Sequence, residues 1–79
     1  MDYKTICDKF IEPKLTDMLG KVLSARLVQK ARFAAVEAGS DRQKLEKFVS
    51  TTCSDSHFIG FWGTAQAAKQ AKEWLNLYR

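Results

Sequence analysis

Apolar residues return every three or four positions along most of this chain, and that spacing predicts helices. Near the start, Ile6, Cys7, Phe10 and Ile11 follow Tyr3 at helical intervals, so residues 3 to 12 form a first amphipathic helix, with Pro13 ending or kinking it. Leu15, Met18, Leu19, Val22 and Leu23 then make a second apolar stripe that contains Gly20. From Ser24 to Ala38 strong helix formers continue, but Leu27, Val28 and Ala31 fall well away from the face of Leu15, Leu19 and Val22. Either that helix is buried on two sides or it breaks near Gly20.

Gly39 and Ser40 mark a corner. Glycine suits the left-handed position just past a helix end, and Ser40 with Gln43 three residues on has the form of a capping box. Leu45, Phe48, Val49 and Thr52 give the following helix its apolar face. Thr51 to Ser56 reads as a connection, and Phe58, Ile59 and Trp62 fit both a helical turn and a short extended segment. Thr64 is placed to cap a last helix in which Ala67, Ala68, Ala71, Trp74, Leu75 and Tyr78 form the buried stripe.

The pattern as a whole predicts an all-α fold: a small bundle of about four helices over 3–12, 14–38 (bent near Gly20), 40–51 and 64–78, in one domain spanning residues 1–79. An α+β alternative places a strand near 25–34, where Arg26, Val28, Lys30 and Arg32 alternate with Leu27, Gln29, Ala31 and Phe33, and another near 57–62. Five alanines between 25 and 38 argue against it.

Charge adds a local feature to this picture. Thirteen basic against nine acidic residues give a net +4, and no acid lies between Asp17 and Glu37, where Lys21, Arg26, Lys30 and Arg32 account for the whole excess. Such a basic segment suits phosphates or an acidic protein surface. Charged residues break up the first twenty positions, so neither a secretory h-region nor a membrane span is expected and a cytoplasmic protein is the simplest reading. Cys7 and Cys53, far apart and outside metal or redox spacings, then read as small buried hydrophobes.

Candidate chemistry is sparse. Cys53 and His57 offer half of a metal site, and Cys53, Asp55 and His57 have the residue types of a nucleophilic triad, but three members within five residues of a short connection do not normally meet the required geometry. A single histidine also limits acid–base catalysis near neutral pH. Gly60 and Gly63 lack the lysine and full spacing of a phosphate loop. No enzyme, no cofactor and no metal are expected.

The remaining reading is a binding module, an adaptor, inhibitor or accessory subunit of the short stand-alone kind that bacteria and phages encode. Its partner would be a larger protein, met through an aromatic patch of Phe61, Trp62 and Tyr78 flanked by Arg26, Lys30 and Arg32. The alternative is a nucleic-acid-binding protein using the basic 21–32 segment, although on a helix Arg26 and Lys30 share one face while Lys21 and Arg32 lie on another. A homo-oligomer that hides surplus aromatic surface in its own interface is the third class.

Overall fold

The computed structural model describes residues 1–78, and every regular element among them is helical. Helix α1 (Tyr3–Ile6) widens into a π-helical turn over Cys7–Ile11 and passes directly into α2 (Glu12–Ala35). Helices α3 (Asp41–Cys53), α4 (Ser56–Trp62) and α5 (Thr64–Leu75) follow. The all-α bundle expected from the apolar spacing is the observed fold. Neither alternative strand forms: 25–34 lies within α2, and 57–62 lies within α4.

Pro13 does not end the first helix. The Glu12 N–H reaches back five residues to the Cys7 carbonyl, so one extra residue occupies the turn before the proline. A proline ring displaces the carbonyl four residues earlier, and widening the turn is one way to make room while the helix continues.

Gly20 is the larger departure from a straight helix. With φ 82° and ψ 170° it leaves helical geometry in the middle of α2 and redirects the chain, so residues 21–35 run on a new axis. Thr16 and Ser24, whose hydroxyls lie 3.2 Å apart, tie the two arms together across the bend. This break resolves the mismatch between the two apolar stripes: Leu15 of the first arm and Leu27, Val28, Ala31 and Ala35 of the second all reach one core. Val22, expected to continue the first stripe, is instead carried outside.

The Gly39–Ser40 corner forms as a capped junction with one difference. Ser40 Oγ accepts from the Gln43 N–H at 3.2 Å, as in a capping box. Gln43 Oε1, however, accepts from the Gly39 N–H at 3.1 Å, and Gly39 does not adopt a positive φ. Its lack of a side chain serves a different purpose, since a Cβ there would lie 3.0 Å from Gln43 Oε1.

Helix α3 is central, packing against α1, α2 and α5. Phe48 is fully buried with Tyr3 edge-on to it at 5.9 Å. On the far side Phe58 is fully buried, its ring centroid 5.5 Å from Trp62 and 6.0 Å from Trp74. Residues 56–62 are thus a short helix with Phe58 pointing inward, capped by Asp55, whose side chain accepts from the His57 N–H at 2.9 Å. Gly63 (φ 83°), rather than Thr64, takes the cap position of α5, and that helix ends at Leu75 instead of 78. Within α5, Ala67 and Trp74 are buried as expected, Ala68 is exposed, and Gln70 joins the buried face. No helix among the described residues is long and apolar enough to cross a membrane.

Candidate protein-interaction surface

The second arm of α2 has one face in the core, and among the described residues its opposite face meets no other helix. Counting 100° per residue, Ser24, Leu27, Val28, Ala31 and Ala35 centre the buried side, while Val22, Arg26, Gln29, Phe33 and Val36 centre the outward side. The three most exposed large apolar residues of the described chain all belong to this outward set: Phe33 at 81%, Val22 at 68% and Val36 at 65%. Isolated exposed apolar residues are ordinary, but three along one helix face form a patch.

Both flanks of that face are basic. On one side Arg26 and Lys30 reach a shallow hollow of about 140 Å³, where Leu19, Leu23 and Leu27 meet Asp55 and His57. Lys30 Nζ stands 3.5 Å from Asp55 Oδ2. On the other side Arg32 contacts Glu12 at 2.7 Å and, more loosely, Asp8 at 3.5 Å. Arg32 keeps about half of its side-chain surface in solvent and Lys30 still more, so each presents charge outward. Lys21 and Arg26 make no ion pair among the described residues.

The carboxylates beneath these cations are perturbed in opposite directions. Burial works to raise Asp55, but the His57 and Phe58 backbone N–H groups and the Lys30 ammonium outweigh it, so its carboxyl titrates below the ordinary 3.8. Glu12 is raised, first by burial and then by the neighbouring Asp8 carboxyl, against the pull of Arg32. Because Asp55 binds its proton more weakly folded than unfolded, its contribution to stability is present above the ordinary carboxylate range and is lost as pH falls through the folded value. Asp55→Ala should therefore cost about 1 kcal/mol at neutral pH through the lost cap. In urea melts the gap to the parent should close as pH drops below about 4; a gap independent of pH would deny Asp55 its charged role.

The six residues singled out as a partner-binding set do not share one spot. Arg26 and Lys30 lie together beside the α2 patch, and Arg32 lies across the helix from them. Phe61 is 59% exposed on α4. It stands one turn beyond His57 and lines, with Trp62 and Gln66, a different hollow from the one that His57 shares with Arg26 and Lys30. Trp62 is half-buried, packed on Phe58, with Lys14 Nζ 5.0 Å from its ring. Tyr78 is half-buried in a separate place near Asp41 at the start of α3; burial and that carboxylate both raise its hydroxyl.

Phe33, Val22 and Val36 were not among the expected anchors. Their signal lay in the acid-free segment itself, where an aromatic stands among cations, but it becomes legible only once Gly20 sets which side of the helix is buried.

The chemical candidates come apart. Cys7 is buried and Cys53 half-buried, and burial pushes both thiols up to about 12, which keeps them protonated and poorly nucleophilic near neutrality. Asp55 is engaged with Lys30 and the α4 cap, and its Oδ1 also lies 3.4 Å from Nδ1 of His57, whose side chain is largely exposed. Among the described residues no group of three or more His, Cys, Asp or Glu side chains is placed to hold a metal ion. No protein-family model, curated protein or solved structure matches this chain.

Proposed function

We propose that this protein is a small non-enzymatic binding module that docks on a larger protein through the outward face of α2. The observation that carries the reading is Phe33, 81% exposed between cations on a helix face that no other element of the described residues covers. An aromatic in that position sacrifices burial within its own domain, and aromatic and arginine side chains are those that dominate interface energetics. Phe61, one turn along α4 from the His57 that shares a hollow with Arg26 and Lys30, extends the surface onto α4, with Arg26 within the α2 face and Lys30 and Arg32 as its basic rim. We read Trp62 and Tyr78 as supports, since both are half-buried. The two unpaired thiols suit a cytoplasmic setting.

Nucleic-acid binding is the weaker reading. Arg26 and Lys30 lie on one side of α2 and Arg32 on the other, with the exposed Phe33 between them, so these residues form no continuous cationic stripe for a phosphate backbone.

The test is affinity capture from the native host with the parent chain and with Phe33→Ser in parallel. Because Phe33 is exposed, the variant should keep the parent's helicity and urea midpoint within about 0.5 kcal/mol. A protein retained by the parent and lost from the variant supports the reading. Equal retention by both would remove the α2 face from it, and retardation of DNA or RNA with a steep salt slope would favour the nucleic-acid alternative.

A further inference from the structure

The five outward residues of α2 have a spacing beyond simple exposure. Val22, Arg26, Gln29, Phe33 and Val36 follow one another at intervals of four, three, four and three. That alternation is the seam of a helix that packs lengthwise against another helix, with side chains of one inserted between those of its neighbour. The seam begins two residues after the Gly20 bend and covers about 21 Å, roughly four turns. Lys30 and Arg32 occupy the positions that border such a seam, where interhelical ion pairs form. Three apolar positions at the ends and centre-right of the seam supply contact area; Arg26 and Gln29 between them demand polar partners.

We propose that the partner contributes an acidic amphipathic helix, laid along the Val22–Val36 seam with carboxylates opposite Arg26, Lys30 and Arg32. Charge decides between this occupant and a second copy of the chain. A parallel pair of copies sets Arg26 against its own equivalent inside the seam, and an antiparallel pair still brings together two segments that contain no acid between Asp17 and Glu37. Like charges at these positions oppose pairing, whereas Glu or Asp on a partner helix relieves both the seam arginine and the flanking cations. The inference rests on the binding-module reading and narrows it to one class of partner.

The experiment uses the whole chain and two labelled peptides of about 21 residues, each three heptads with leucine at the seam positions except those facing Arg26 and Gln29, which are glutamine. One carries Glu at the flanking positions and the other Lys. Fluorescence anisotropy at about 0.1 M salt should show the acidic peptide binding and the basic one at least about tenfold weaker. Phe33→Ser should weaken the acidic peptide about thirtyfold. Arg26→Glu should narrow the preference between the two peptides by weakening the acidic one. No binding of the acidic peptide, or equal binding of both, overturns the inference, and capture of a partner that depends on Phe33 would then leave the binding-module reading standing on its own. A concentration-dependent dimer in sedimentation, abolished by Phe33→Ser, would also overturn it by assigning the seam to a second copy.

Discussion

Phe58→Ala should bring this protein close to unfolding, whereas Phe61→Ala, three residues on, should change stability by less than about 0.5 kcal/mol. Phe58 has no exposed surface and its ring lies against both tryptophans of the chain. Emptying such a site removes the transfer energy of the ring and leaves a cavity that a rigid core closes only in part, at a cost of about 3–5 kcal/mol. A chain of this length has roughly 4–12 kcal/mol of total stability to lose. Urea titration followed by tryptophan fluorescence reads the effect directly, because Trp62 and Trp74 are the neighbours that lose their contact. Comparable midpoints for the two alanine variants would contradict the inward orientation of Phe58 on which α4 depends.

Gly20→Ala should be destabilising by about 1–3 kcal/mol, although a methyl group there meets no atom within 4 Å. The cost is in the backbone. A φ of 82° with ψ near 170° belongs to a region that L residues essentially never enter, and the bend cannot relax without moving Val28 and Ala31 out of the core. Two comparisons separate this cause from crowding or lost flexibility. Gly60, equally open but inside helix α4, should gain about 0.5–1 kcal/mol on replacement by alanine. D-alanine at position 20, accessible by chemical synthesis, mirrors the allowed conformations and should match or exceed the parent. Thermal melts of the three variants give the order, and a D-alanine variant as weak as the L form would shift the explanation to the side-chain surroundings.

The sequence carried most of the fold because its periodicity was local. Ser40 and Gln43 announced their own junction, and Phe48 with Val49, or Ala67 with Trp74, announced the faces that they bury. What escaped it depended on phase. A helical pattern tells which residues share a side, but the rotation between two arms joined at a glycine is set by a torsion angle that no residue type encodes, so Val22 looked like core and Phe33 like an ordinary aromatic. The choice between a helical turn and an extended segment at Phe58–Trp62 stayed open for a different reason: with glycines at 60 and 63 the two differ little in intrinsic preference, and burial of Phe58 between Trp62 and Trp74 decided it. The separation of the basic residues followed from helical spacing: Arg32 turns toward Asp8 and Glu12 while Arg26 and Lys30 turn toward α4.

The widened turn before Pro13 also sets the chain's tolerance to small changes in length. It holds one residue more than an α-helix requires, and everything upstream is rotated accordingly by about 100°. Shortening this turn by a single residue would carry Ile6 and Cys7 off the core and swing Tyr3 away from Phe48, even if every amino acid that remains were unaltered.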